Sequence, residues 1–596
     1  MSLEETIKQE IKSSFQNIFN HTLEDKELTL LPTRKEFEGD YTFVTFPVAR
    51  YSKKKPEETA NILGESIKAS SDIIEDFNVV KGFLNLKIGI RTWLELFKKA
   101  HFDENFGQLP ANGKKVVTEY SSPNTNKPLH LGHLRNNFLG YSISQIQKAA
   151  GYHVEKVNLV NDRGIHICKS MVAYQNWGNN ETPESSGTKG DHLIGKYYVR
   201  FDQEYKKEIQ GLIEQGSTKE EAEKDTPLLK SAQKMLRDWE DGVDEVVSLW
   251  KKMNSWVYEG FDVTYNRMGV SFDKTYHESE TYLLGKSIVE EGLNKGLFYK
   301  KEDGSVWVDL TDEGLDQKLL LRADGTSVYM TQDLGTADLK YSDYTYDKSV
   351  YVVGNEQDYH FDVLFKILKK LGRTYADGLF HVSYGMVDLP SGKMKSREGT
   401  VVDADDLMDE MADTARKHTI ELGKIDGFNE KQASELYETL SLGALKYFLL
   451  KVDPKKRMLF NPEDSIQFHG NTGPFIQYTH ARISAIIRKA DQLKIDYSNF
   501  DINLLGESHE TVRSLIFLIN GYHRLIHEAA ENYSPAIIAQ FAYDLAKEYN
   551  RFYAEEPILK ESNENYMKFK IAFSLQIAKT IKKSMGLLGI SVPERM

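Results

Sequence analysis

Cysteine is almost missing from this chain. Cys168 stands alone among 596 residues. No disulfide can close within the chain, and a thiolate zinc cluster has no ligand set. One cysteine suits a reducing compartment, so a cytoplasmic location is expected. Long apolar runs are missing too. None approaches the ~18 residues that a bilayer-spanning helix requires. Met1-Ser-Leu-Glu-Glu5 has neither the basic n-region nor the apolar h-region of a signal peptide. A soluble chain with no membrane partner is expected. Positive charge is in deficit, with a formal net charge of −13. That opposes a uniformly basic nucleic-acid binder without excluding RNA, because binding follows local potential and not the sum. Local basic clusters do occur at Lys53-Lys54-Lys55, Lys114-Lys115, Lys455-Lys456-Arg457 and Lys582-Lys583. Such clusters are ordinarily solvated surface. The 32 tyrosines and 29 phenylalanines offer rings that can stack on unpaired bases. At this length the chain holds roughly three or four domains of ~100–200 residues.

What is present is organised around residues 119–140. Lys115-Val-Val-Thr-Glu-Tyr120 reads as a short strand that breaks at Pro123 and Pro128. A helix follows from about Gly132, with Leu134, Phe138, Tyr141 and Ile146 at helical spacing. Strand, tight loop and helix N-terminus form a phosphate-holding geometry, in which free N–H groups and the positive dipole end face the ligand. His130 and His133 flank Gly132, whose missing side chain lets a base or ribose approach the backbone. On their own the two histidines also suit a metal pair or helix capping. With no cysteine or further ligand nearby, no protein-bound metal is expected.

The His130-Leu-Gly-His133 string resembles the signature of class I aminoacyl-tRNA synthetases. Ser121-Ser-Pro-Asn-Thr-Asn-Lys127 ahead of it is similar to the arginyl-tRNA synthetase version. The resemblance continues along the chain. Residues 1–113 read as a small α+β domain, with an amphipathic helix carrying Ile7, Ile11, Phe15 and Ile18 and strands near 41–46 and 82–86. They resemble the family's tRNA-elbow domain, which places Phe83 and Asn85 as base readers. From the residues alone, Phe83 reads as core and Asn85 as surface. Leu109-Pro-Ala-Asn-Gly113 is a plausible boundary.

Residues 114–405 read as a split, Rossmann-like parallel-sheet catalytic domain. Val154–Val160 is a buried-looking strand, and about 176–273 is a charged helical insertion with mostly solvated faces. Asn161-Asp-Arg-Gly-Ile-His166 stands where the family more often has Gly-Asp-Trp-Gly-Thr-Gln, so Arg163 and His166 are departures without an assigned role. Tyr329 and Asp333 match a family pair that faces the substrate guanidinium. A bidentate carboxylate–guanidinium contact is both strong and selective. A bare reading of Asp333 is a helix cap. Gln357 and His360 follow the β-branched strand Ser349–Val353, at the strand end where α/β sheets bind ligands. The resemblance makes Glu119, Asn124 and Gln357 further arginine contacts. Ser391-Gly-Lys-Met-Lys-Ser-Arg-Glu-Gly399 is similar to the second class I signature, and on its own it is a basic surface loop. Lys393, Lys395 and Ser396 would contact ATP. Ser396 replaces the usual second lysine, and Lys127 occupies the position of the lysine that compensates in many arginyl enzymes.

Residues 406–596 read as a helical bundle with stripes at Leu442, Leu445 and Leu449; at Leu515, Leu518, Tyr522 and Leu525; and at Ile538, Phe541, Leu545, Tyr549 and Phe552. By resemblance to the anticodon-binding domain, Phe475, Tyr478, Tyr549, Tyr553 and Met596 would lie around the anticodon. Helical spacing alone would place at least half of them in the core. The resemblance implies a monomer that joins L-arginine to tRNA-Arg using ATP with magnesium, with His130, His133, Lys127 and Lys393 as catalytic groups. Three alternatives stay open on the sequence. A class I synthetase for another amino acid shares the fold, but glutamate would not want Asp333 in its pocket. A small-metabolite adenylyltransferase would not need the flanking domains. A non-catalytic RNA-binding relative would be expected to lose His130, His133 or Lys393, and all three are present.

Overall fold

The computed structural model describes residues 3–34, 36–388, 402–423, 425, 427–505 and 510–596. Lys393, Lys395 and Ser396 lie outside these residues. The chain divides into two compact units. One comprises Met1–Phe106, Ile486–Gly521 and Glu548–Ile577; the other comprises Gly107–Ala485, Tyr522–Lys547 and Ala578–Met596.

The first unit holds a four-stranded antiparallel sheet. Its order is Leu30–Pro32, Tyr41–Val44, Phe83–Ile88, Ile74–Val80. Alternation along Phe83–Ile88 puts Leu84, Leu86 and Ile88 inside. The helix Leu3–Phe19 buries Ile7, Ile11 and Phe15, at the spacing the sequence shows. Part of the core comes from residues far along the chain. Phe97 meets Phe500, Phe569 and Phe573 at ring-centroid distances of 6.0, 5.5 and 5.1 Å. The last two pairs meet edge-on, a geometry that adds to simple area burial.

The second unit is built on a five-stranded parallel sheet. From edge to edge its strands are Leu379–Tyr384, Lys348–Gly354, Lys115–Glu119, His153–Val160 and Lys274–His277. Lys115–Glu119 is central. The chain first winds outward to one side of it and then to the other. The crevice between its end and that of Lys348–Gly354 is therefore the topological switch point, where open α/β sheets bind ligands. Val117, Val157, Leu334, Leu364 and Ile367 belong to the core beneath it. A three-stranded antiparallel sheet, Phe298–Lys300, Val306–Val308 and Lys318–Leu321, was not foreseen. Strands of three or four residues are too short for alternation to register.

The helical insertion corrects one expectation. Its two long helices, Gly190–Glu214 and Asp244–Met268, bury Leu193, Ile194, Tyr197 and Phe201 on one and Trp256, Val257 and Phe261 on the other. A Cβ on Gly190 would stand 2.0 Å from the Trp256 carbonyl oxygen, so the helices meet backbone to backbone. The insertion has a core of its own, and most of its charged residues lie on the outer faces, with Asp191 a buried exception. In the C-terminal part, all five residues of the third stripe, Ile538, Phe541, Leu545, Tyr549 and Phe552, are buried.

Candidate active site

The loop after the central strand is held in a costly conformation. Ser121 and Ser122 have φ of +80° and +47°, left-handed values that side chains disfavour. Buried amides hold them there. Ser121 N–H donates to Asn136 Oδ1 at 2.5 Å, and Ser122 N–H donates to Asn158 Oδ1 at 3.0 Å. Further on, Thr125 N–H reaches Asn161 O at 3.1 Å and Asn161 N–H reaches Pro123 O at 2.9 Å. The loop is thereby sewn to the end of the next strand.

His130 is the N-cap of the helix Leu131–Ala149. Its Nδ1 accepts from Gly132 N–H at 3.1 Å, and His133 Nδ1 accepts from His130 N–H, also at 3.1 Å. The ring centroids lie 3.9 Å apart. A Cβ on Gly132 would stand 3.0 Å from His130 Cε1, so the glycine makes room for the folded-back ring. The expectation of bare helix N–H groups facing phosphate needs correction. Gly132 N–H is taken by His130, and Leu131 N–H by Val402 O at 3.1 Å. The donors left for a ligand belong to the imidazoles. A neutral ring that accepts at Nδ1 carries its proton on Nε2. Burial, with Lys127 close by, pushes His130 down to about 4, and burial first pushes His133 well below its ordinary value. Lys127 is itself lowered by burial. Two neutral Nε2–H donors and a half-buried ammonium therefore share this loop.

Segments on both sides of the second signature are tied to the same helix. Arg135, wholly buried, donates to the carbonyls of Gly385 at 2.7 Å, Pro454 at 3.0 Å and Lys456 at 2.9 Å. His130 forms a β-bridge with Asp403, and Ala404 N–H donates to Leu129 O at 3.0 Å. Asp403 and Asp405, which open the helix Ala404–Glu421, are gripped by His192 at 3.4 and 3.1 Å, and Asp405 also by Lys189. Asp191, His192 and Asp405 are close enough to hold a metal. The Lys189 ammonium, 3.2 Å from Asp191 and bonded to Asp405, already supplies a cation there.

Across the switch point the chemistry is acidic. Asp333 lies in the first turns of the helix Tyr329–Tyr344, where its Oδ2 is 2.6 Å from His360 Nε2. It does not cap that helix, so the bare reading of a cap fails. Tyr329, at the helix start, is 76% exposed. Gln357 is exposed in the turn Asn355–Gln357 directly after the strand Lys348–Gly354, and Asn124 is exposed on the signature loop. Glu119 is buried in an ion pair with Lys340, Nζ to Oε2 2.7 Å, a partner that sequence reading missed. Glu278 was missed as well. Burial, with Asp162 and Asp333 nearby, pushes its carboxyl up to about 7 against the pull of Arg163. Its position just after the strand Lys274–His277 was the available signal. His166 faces Tyr198, with Nδ1 3.0 Å from the hydroxyl.

The residues expected at RNA are spread over both units. In the first, the bare reading of Phe83 and Asn85 is inverted. Phe83 is 39% exposed and packs edge-on against Phe46. Asn85 is buried, accepting from Thr42 Oγ1 at 2.6 Å and donating to Asn78 Oδ1 at 2.8 Å. Tyr549 also departs from expectation. It is fully buried with its hydroxyl 3.1 Å from Ser574 Oγ, so its ring has no free face for a base, whereas Tyr553 one turn on is 42% exposed. In the second unit Phe475, Tyr478 and Met596 are partly exposed.

Comparison with known proteins accords with this arrangement. The family profile for the catalytic domain of class I tRNA synthetases (R) matches residues 99–461. Those for the arginyl tRNA synthetase N terminal domain and the DALR anticodon binding domain match residues 2–88 and 476–596. An arginine–tRNA ligase of Amoebophilus asiaticus is 58% identical over 596 residues, and one of Bacteroides thetaiotaomicron is 55% identical over 598, each covering 100% of both chains. The solved arginyl-tRNA synthetase of Thermus thermophilus superposes with a TM-score of 0.80 at 22% identity over 100% of both chains, a likeness of fold. With full-length identity at this level and a catalytic profile over more than half its residues, the chain belongs to the arginyl family of class I tRNA synthetases.

Proposed function

We propose that the chain activates L-arginine with ATP, supplied as its magnesium complex, and passes the arginyl group to the 3′-terminal adenosine of tRNA-Arg. The arginine carboxylate attacks the α-phosphorus, and the bond to pyrophosphate breaks. A ribose hydroxyl then attacks the arginyl carbonyl, and AMP leaves. One observation carries this reading. His130 and His133 present neutral imidazole donors on the loop after the central strand, and Asp333, held by His360, offers a carboxylate on the helix that leads into the neighbouring strand Lys348–Gly354. Triphosphate charge suits the first, and a guanidinium suits the second.

In this reading His130 and His133 donate Nε2–H bonds to phosphate oxygens as the α-phosphorus becomes five-coordinate. Lys127 and Lys393 add positive charge, and Lys395 and Ser396 help hold ATP. Such steps rest on positioning and electrostatics more than covalent catalysis. Glu119, Asn124, Tyr329, Asp333 and Gln357 bind arginine. Phe83, Phe475, Tyr478, Tyr553 and Met596 meet tRNA, and Asn85 braces the strand of Phe83 from inside. Tyr549 supports Tyr553 from the core, without stacking on a base itself. The work divides along the chain into 1–113, 114–405 and 406–596. Charging a crude tRNA pool with each of the common amino acids in turn tests the proposal. Arginine alone should be esterified, in an ATP-dependent manner, and charging by another amino acid at a comparable rate overturns it.

Lys127 gives a sharper expectation. Losing one preorganised donor typically costs ~10²–10³ in rate. Lys127→Ala should slow adenylate formation by about that factor, with arginine and ATP affinities nearly unchanged, while Lys395→Ala does much less. Single-turnover adenylate formation with tRNA present decides. A crippled Lys395→Ala beside a near-normal Lys127→Ala would move the second positive charge to the later loop.

A further inference from the structure

We propose that Arg163 is a positioning residue of the amino-acid pocket: by lying on Tyr282 and bonding to Glu240, it fixes the short helix Glu278–Thr281 that carries Glu278. The inference rests on the arginine reading above and deepens it.

The strand His153–Val160 runs out into Asn161-Asp162-Arg163-Gly164, beside the edge strand Lys274–His277. Two consecutive residues of that turn grip the two ends of the next element. Asp162, buried, accepts from Ser279 N–H at 2.8 Å through Oδ1. Its Oδ2 accepts from Ser279 Oγ at 2.7 Å and from Tyr258 OH at 2.9 Å. Its carbonyl accepts from Trp250 Nε1 at 2.6 Å and Asn254 Nδ2 at 3.1 Å. Arg163 takes the other end. Its guanidinium carbon is 3.9 Å from the Tyr282 ring centroid and 5.3 Å from that of Trp239, and an Nη donates to Glu240 at 2.6 Å. Ser279 lies near the start of the helix Glu278–Thr281, and Tyr282 follows its end. A helix of four residues has too few internal hydrogen bonds to orient itself. Its placement is therefore imposed by these contacts, five of which reach back to Trp239, Glu240, Trp250, Asn254 and Tyr258 of the helical insertion.

The charges around Glu278 make the grip more than mechanical. Asp162 and Asp333 face it with like charge, and Arg163 opposes them. One partner further out are His277 and Tyr258 on Asp162, Glu280 on the same helix, Glu240 on Arg163 and His360 on Asp333. A guanidinium ligand needs Glu278 ionised; burial works against that, and Arg163 is the cation that offsets part of it. The arginine that departs from the family's usual tryptophan thus supplies a charge that an indole cannot.

The test uses the full chain with tRNA present, comparing Arg163→Met with Arg163→Lys from about pH 6 to about pH 9. Losing an opposing charge raises a carboxyl pKa, so the acid limb of kcat/KM for arginine should move up by about one pH unit in Arg163→Met. At about pH 7 its KM for arginine rises at least roughly five-fold while KM for ATP stays within about two-fold, and toward pH 9 the defect shrinks to the pH-independent part left by the missing stack. Arg163→Lys keeps the limb in place and raises KM for arginine by a smaller factor. A Met variant whose profile is unshifted, or whose activity falls equally at every pH, overturns the proposal. Should Arg163→Met fail to fold, Tyr282→Leu removes the stack and keeps the charge. It must raise KM for arginine without moving the limb, and an unchanged KM would equally refute the idea. If a different amino acid proves to be charged, the substrate reading fails. The limb shift, measured with whichever amino acid is accepted, still judges Arg163 separately.

Discussion

Asp333→Asn should lower kcat/KM for arginine activation by about 10²–10³-fold while ATP binding stays nearly intact, since truncating one side of a hydrogen-bonded charge pair costs ~2–5 kcal/mol. The carboxylate proposed for that contact is held in place. It sits on a helix whose Leu334 and Ala337 are locked in the core, and His360 holds one of its oxygens at 2.6 Å. Asparagine preserves the shape and removes the charge, so the loss reports the charge itself. ATP is spared because His130, Gly132 and His133 belong to a different loop. Citrulline probes the same contact from the ligand side, being isosteric with arginine but uncharged. Sites built to bond a polar group reject ligands lacking it by ~10⁴–10⁵. The parent chain should refuse citrulline to that degree in adenylate formation. Equal use of the two would remove Asp333 from the guanidinium site.

The second large effect concerns stability. Lys340 and Glu119 form an ion pair out of contact with water, with side chains 1% and 7% exposed. The Lys340 ammonium also lies 3.8 Å from the Tyr351 ring centroid. Removing one member of a buried pair strands the other charge, at a cost of about 3–5 kcal/mol, whereas replacing both is often near neutral. Lys340→Met should therefore shift the unfolding midpoint of the second unit to clearly lower urea. Adding Glu119→Gln should recover most of that shift. Activity should not recover with it, because Glu119 is also a proposed arginine contact. Urea titration of the three variants beside kcat/KM for arginine separates the two roles. A Lys340→Met chain as stable as its parent would mean that the pair contributes nothing.

Elements whose signals are local are legible in the amino-acid string. The strand Lys115–Glu119, the helix Leu131–Ala149 and the third C-terminal stripe follow from spacing within about ten residues. The two histidines around Gly132 are likewise readable there, because capping partners lie within one helical turn. Neutrality at His130 is not readable. It depends on burial and on Lys127, as Glu278's raised pKa depends on burial, Asp162 and Asp333. Tyr549 and Tyr553 stand one turn apart on one helix, yet the first is sealed by Ser574 and Phe552 and the second is open. Phe83 and Asn85 exchange the places that hydrophobicity assigns them, because Thr42 and Asn78 satisfy the amide inside and an exposed Phe46 meets the ring outside. Lys340 reaches Glu119 from 221 positions away, and Arg163 meets Glu240 from 77 positions away. Spacing encodes which face of an element turns inward. Which charge meets which carboxylate is settled only when distant segments close on each other, because the dielectric and the partners that fix its protonation are created by that closure.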